Sequence, residues 1–193
     1  GLSRIAFKSC MSLSTLLSYP SRIAINHLSL KSLLGTFSII MIHPFILHRP
    51  DNPIPLIFDS PHSGTQYPDN FEYACDFCDL EKAEDKYVDD LFAAAPNYGA
   101  ALLCATFPRS YIDANRAADD IDDDLLAEPW PASSPLNPSH LSEAGIGLIR
   151  KQLRPGIPVY QKKLSVPDIQ KRIDNYYRPY HQALEQLIME THR

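Results

Sequence analysis

A chain of 193 residues, 45% hydrophobic and 21% charged, is long enough for one globular domain with a sizeable core. Its net charge of −5 excludes non-specific nucleic-acid binding, which needs a basic surface, but leaves room for a local basic pocket around a small anion. The spacing of Cys10, Cys75, Cys78 and Cys104 shows no disulfide framework, so a reducing, cytoplasmic setting is expected.

Residues 1–50 contain no Asp or Glu and are rich in Ser, Leu and Ile. Residues 1–40 therefore stand apart as an atypical extension: disordered, transit-like, or translated upstream of a start at Met41. The apolar stretch from Leu33 to Leu47 is interrupted by His43 and Pro44, and it falls short of the roughly 18 residues a spanning helix needs. No membrane segment is expected. Residues 41–193 read as one α/β domain. In it, Pro55–Asp59 is a buried strand, broken by the loop Ser60-Pro-His-Ser-Gly64. Asp79 caps a predicted helix with Leu80, Ala83, Tyr87, Leu91 and Ala94 at helical spacing, stopped by Gly99. Ala100–Phe107 and the shorter Ser110–Ala114 are strand candidates. Residues 117–138 read as a long loop, and Ser139 to about Leu153 as a helix. A last helix starts at Ser165, whose pairing with Asp168 resembles a capping box; Pro167 suits its first turn and Pro179 should kink or split it.

Three segments could carry chemistry. His62 lies in a loop after a strand, where α/β proteins expose ligand groups, and neutral imidazole is a good zinc ligand. Glu84 and Asp85 are candidate carboxylate partners, and helical periodicity leaves the facing of Asp85 undecided. Phe107-Pro-Arg-Ser-Tyr-Ile-Asp-Ala-Asn-Arg116 places Arg109, Asn115 and Arg116 around a short apolar stretch. The arginine fork suits carboxylates; alternatively each Arg pairs internally, for example with Asp113 or the acidic run Asp119–Asp124. That run lacks the Gly and terminal Glu of a calcium loop and reads as solvated. Cys75-Asp-Phe-Cys78 lacks partners for a structural zinc site and reads as two unlinked thiols. No G-x-S-x-G, Walker loop, H-E-x-x-H or dinucleotide fingerprint is present.

Taken in order, Pro-Leu-Ile-Phe-Asp-Ser-Pro-His-Ser-Gly64, Glu84-Asp-Lys-Tyr-Val-Asp-Asp-Leu91, Phe107–Arg116, Asp-Asp-Ile-Asp122, Gly145-Ile-Gly-Leu-Ile-Arg150 and Tyr176-Tyr-Arg-Pro-Tyr-His181 resemble the N-formylglutamate amidohydrolase family. The likeness runs from about Phe45 to the end. It implies a fold similar to zinc-dependent exopeptidases and aspartoacylase-like deacylases, with helices flanking a mixed, largely parallel sheet. It implies a zinc or other divalent-metal amide hydrolase that turns N-formylglutamate and water into glutamate and formate, of the histidine-degradation type. His62 would be the first metal ligand and Asp85, with Glu84 as the alternative, the acidic one. Asn115 and Arg116 would grip a substrate carboxylate, with Arg109 as a second cationic contact. A further ligand His and the general-base Glu of the family are expected beyond residue 193, since His181 and His192 sit in the preceding helix. On that reading the chain is the N-terminal part of the domain and its site is incomplete. Two other readings compete: a non-catalytic fragment that binds a small anion or a partner, and a deacylase or peptidase on another N-acyl amino acid.

Overall fold

A computed structural model describes residues 43–191. The extension over residues 1–40 and His192 lie outside the described residues. Three strands, β1 (Phe45–His48), β2 (Ile57–Ser60) and β3 (Ala101–Ala105), form a sheet in the order β1-β3-β2. β3 runs antiparallel to β1, with Phe45 opposite Ala105, and parallel to β2, with Ile57 opposite Ala101. The sheet is thus mixed, with one pairing of each kind. β3 is apolar without alternation because it is central and covered on both faces; all five of its residues are buried. β1 alternates half-buried and exposed, as an edge strand does. The sequence reading did not assign β1, nor the two-stranded sheet β4 (Gln152–Arg154) and β5 (Ile157–Pro158).

Behind the sheet lies the helical layer α4 (Val166–Arg172) and α5 (Arg178–Thr191). Ser165 caps α4 as expected, its side chain accepting from the Asp168 N–H at 3.3 Å, with Pro167 in the first turn. Between α4 and α5, residues Ile173–Tyr177 wind as a π-helical segment. Pro179 therefore neither splits nor ends the helical run; the wider turn before it absorbs the missing N–H. Tyr180 and Leu187 of α5 are buried with Leu103, Phe107, Tyr111 and Ile112 in the core. Each such side chain contributes about 1.5–3 kcal/mol by leaving water.

The single helix expected from Asp79 to Gly99 is three pieces. α1 (Phe77–Glu81) is capped by Asp76, α2 covers Val88–Leu91, and a 3-10 turn at Ala95–Tyr98 ends on Gly99. The intervening residues turn away, and Tyr87 sits in the left-handed region at φ 68°. Propensity alone favours a helix here; tertiary contacts of Glu84 and Asp85 override it. Tyr87 and Leu91, expected on the apolar stripe, are exposed.

Ser110–Ala114 is buried as a strand would be, yet it is not one. The chain turns after Pro108, the Tyr111 N–H returning to the Pro108 carbonyl, and the Asp113 N–H reaches the Leu148 carbonyl at 2.8 Å. The helix predicted from Ser139 stops after α3 (His140–Glu143), because Gly145 at φ 84° turns the chain and Gly147 is wedged against Ser142 and Asp120. The acidic run is not wholly solvated either. Asp120 is buried and accepts from the Ser139 backbone N–H at 2.7 Å and its hydroxyl at 3.1 Å.

Candidate active site

The loop after β2 is held by two local devices. The Ser60 and Ser63 hydroxyls bond each other at 2.8 Å across Pro61 and His62. Gly64 lies so close to the end of β3 that a Cβ there would stand 2.3 Å from the Phe107 carbonyl oxygen. Together they seat His62, which is buried, beside the turn that interrupts the α1–α2 segment. The Asp85 N–H donates to the His62 carbonyl at 3.2 Å, so the two segments are joined through their backbones as well.

The His62 ring lies between two carboxylates. Nδ1 faces Asp85 Oδ2 at 3.1 Å and Nε2 faces Asp113 Oδ1 at 2.7 Å. Arg109 spans the same pair: Nη1 donates to Asp85 Oδ2 at 3.1 Å and Nη2 to Asp113 Oδ2 at 3.0 Å. Asp113 is fully buried, and burial, the largest influence, pushes its carboxyl upward. The His62 hydrogen bond and charge, the Arg109 charge and the Asn115 N–H together outweigh burial and hold it at about 2. Asp113 is thus a permanent anion that orients both His62 and Arg109.

The two acidic candidates part company here. Asp85 meets His62, with half of its side chain still open to solvent. Glu84 is buried and bonded instead to the Tyr67 hydroxyl, with Lys86 at 3.7 Å. Burial pushes the Glu84 carboxyl up to about 7 against the pull of Lys86.

Asn115 is exposed, and its N–H donates to Asp113 Oδ1 at 3.0 Å. Arg116 is half-buried, its carbonyl held by the Tyr177 hydroxyl at 2.8 Å, and its buried Nε has no partner. Arg150 joins the cluster unannounced. It quoted no chemistry in the sequence beyond closing the apolar segment Gly145–Ile149. Its side chain is largely buried, and burial lowers its pKa, with Arg109 and Arg116 adding repulsion while Asp113 and Asp85 oppose it. Asp113 was legible only as an internal partner for arginine, which it is for Arg109.

The donor chemistry fits a divalent cation in part. A metal-binding His commonly donates its other ring N–H to a carboxylate, as His62 Nε2 does toward Asp113 in the neutral tautomer that leaves the Nδ1 lone pair facing Asp85. His62 and Asp85 are then two donors of the right type. Among the described residues, no three His, Cys, Asp or Glu side chains gather as a ligand set. Cys75, Cys78 and Cys104 form no disulfide.

These features describe an α/β protein with a histidine–carboxylate–arginine cluster at a strand end. The sequence model of the family N-formylglutamate amidohydrolase matches residues 54–193, a span that includes every residue of the cluster. The chain belongs to the N-formylglutamate amidohydrolase family. It is similar in structure to N-formylglutamate amidohydrolase from Ralstonia eutropha JMP134, with a TM-score of 0.75 and 46% identity over 78% of this chain and 53% of that one. The chain thus spans about half the length of that relative. No curated protein matches it.

Proposed function

We propose that this chain carries the substrate-gripping and metal-binding half of a hydrolase that converts N-formylglutamate and water into formate and glutamate. The observation that carries the proposal is the 46% identity to a solved N-formylglutamate amidohydrolase. The cluster at the end of β2 and β3 supports it. We read the mixed sheet as zinc-exopeptidase-like on the family resemblance, and the unlinked thiols suit a reducing compartment such as the cytoplasm.

In this proposal His62 and Asp85 hold a divalent metal, zinc by donor type. When bound, that ion would lower the pKa of water toward about 7 and polarise the formyl oxygen. Asp113 keeps the His62 proton on Nε2 and so leaves Nδ1 free as a donor. Arg109, bridging Asp85 and Asp113, fixes the distance between the two carboxylates and acts as a positioning residue. Asn115 and Arg116 take the carboxylate beside the scissile amide and hold the formyl carbon at the His62–Asp85 end. Fixing both ends of a small substrate replaces a bimolecular encounter by an oriented one, which is where much of the acceleration in such sites originates.

The test is formate release from N-formylglutamate with zinc supplied, beside acetate release from N-acetylglutamate, in wild type and His62→Ala. Zinc binding that is lost with His62 is the expected result for this chain, and formyl-selective turnover that disappears with His62 is expected where the rest of the domain is present. Preferential acetate release would reassign the acyl group. A folded chain that turns over neither compound does not carry the activity by itself.

A further inference from the structure

We propose that Arg150 is the residue that selects a dicarboxylate, receiving the distal side-chain carboxylate of the substrate while Asn115 and Arg116 hold the one beside the amide. The inference rests on the N-formylglutamate reading above and assigns the part of that substrate which a simple N-formyl amino acid lacks.

Arg150 has an exposure of 9%, its Nε is buried without a hydrogen-bond partner, and among the described residues its side chain makes no hydrogen bond or ion pair. A buried guanidinium without an anion is costly, and folds keep one where a ligand supplies the missing partner. Arg172, the other buried arginine, also has a buried Nε without a partner, but the rest of its guanidinium is engaged. Arg172 donates to the Tyr111 carbonyl at 2.9 Å and the Tyr160 hydroxyl at 2.6 Å, and lies 4.2 Å from the Tyr111 ring centre. Arg109 has two carboxylates of its own. That leaves Arg116 and Arg150 as the forks around Asp113 that hold nothing. Arg109 and Arg116 repel the Arg150 charge while Asp113 and Asp85 attract it, so cations outnumber these carboxylates three to two around Arg150.

The segment bearing Arg150 is fixed to the site. Asp113 N–H bonds the Leu148 carbonyl and Leu148 N–H bonds the Asp120 carbonyl, each at 2.8 Å. A Cβ on Gly147 would come within 2.5 Å of Ser142 Oγ and 2.7 Å of the Asp120 carbonyl oxygen, so this loop is locked by close packing. An unpaired donor on a locked base is a preorganised receptor. Depth decides which carboxylate goes where. The carboxylate next to the amide stays with the reacting group near exposed Asn115 and half-buried Arg116. The distal carboxylate ends a flexible chain and reaches the deeper fork.

Binding of L-glutamate and of L-glutamine, measured by calorimetry on the full chain with and without zinc, tests this without requiring turnover. The two ligands differ only at the distal carboxylate. Wild type should prefer glutamate by about a hundredfold. Arg150→Met should erase that preference while leaving glutamine affinity in place, and Arg150→Lys should restore part of it. Arg116→Met should weaken both ligands alike. Equal loss of both ligands in Arg150→Met, or a preference that survives it, overturns the assignment. If Arg150→Met does not fold, wild type and Arg150→Lys decide: a wild type indifferent to the distal group, or a lysine variant as selective as wild type, overturns it equally. A glutamate preference that follows Arg150 in a protein whose zinc affinity does not depend on His62 would sink the metal-hydrolase reading and leave this one standing.

Discussion

Gly64→Ala tests how the His62 loop is held. An alanine Cβ would stand 2.3 Å from the Phe107 carbonyl oxygen, 2.5 Å from the Thr106 carbonyl carbon and 2.6 Å from the Phe107 nitrogen. All three are backbone atoms at the end of the central strand, and none can swing aside as a side chain does. Ordinary contact begins at 3.4 Å, so the loop must withdraw by about 1 Å. Overpacking of this kind costs about 1–3 kcal/mol. Gly64 is two residues from His62, and the Ser60–Ser63 bond transmits the shift across the ring. A misplacement of about 1 Å lowers turnover by about a hundredfold where geometry limits the reaction. Urea unfolding at neutral pH measures the first quantity and formate release by the full-length protein the second. Gly156→Ala is the control, because its Cβ meets nothing within 4 Å and its φ of 84° strains the backbone alone. It should cost about 1 kcal/mol and leave turnover unchanged. A Gly64→Ala protein with the wild-type unfolding midpoint would refute the argument that this contact seats the loop.

Asp113→Asn should show its cost as a function of pH. The carboxyl is held at about 2 in the folded chain against 3.8 as its ordinary value, so it stabilises the fold fully above the ordinary value and loses that contribution as pH falls through the folded one. The gap in unfolding free energy between wild type and variant, without metal, should narrow by about 2 kcal/mol between pH 7 and pH 2. A pH-independent gap would mean that charge is not what Asp113 supplies. Arg172→Met removes two hydrogen bonds and the ring contacts under Tyr111, for an expected loss of about 2–4 kcal/mol by denaturant titration; an unchanged midpoint contradicts the packing account. In the full-length protein, Arg116→Ala should raise KM or lower kcat/KM strongly while zinc binds as before. A variant that loses zinc would move Arg116 from the substrate to the metal.

What could be read from the chain, and what could not, divides along physical lines. Strand β3, the loop of His62 and the cap at Ser165 are set by local patterns: an apolar run, a Pro/Gly break, and a hydroxyl two residues before a proline. Strand periodicity also marked Ser110–Ala114 as buried, and burial is common to a strand and to a packed turn, so the turn went unseen. The facing of Asp85 was undecidable because the helix that would have set it is not there. Its conformation comes from His62 and Arg109, with Tyr67 holding the neighbouring Glu84, partners far away in sequence. Arg150 closes one of the segments that carry the family resemblance, but its role was not legible, since one cation after an apolar run looks like any surface residue until its surroundings are known.

The departures from local rules gather around one place. Tyr87 takes a left-handed conformation that costs a bulky residue about 1–3 kcal/mol, two residues beyond Asp85. The π-helical segment Ile173–Tyr177 gives up regular hydrogen bonding, and the hydroxyl of Tyr177 holds the Arg116 carbonyl. Arg150 is buried with an Nε that has no hydrogen-bond partner, within the influence of Asp113 and Arg109. A fold selected for stability alone would relax each of these separately. Their convergence on the residues that flank His62 means that the cost is tolerated for the sake of the cluster. The backbone turn at Tyr87 is therefore the feature to preserve, and replacing Tyr87 by glycine, which adopts a positive φ freely, should stabilise the fold in urea unfolding without disturbing Asp85, whose N–H remains fixed to the His62 carbonyl.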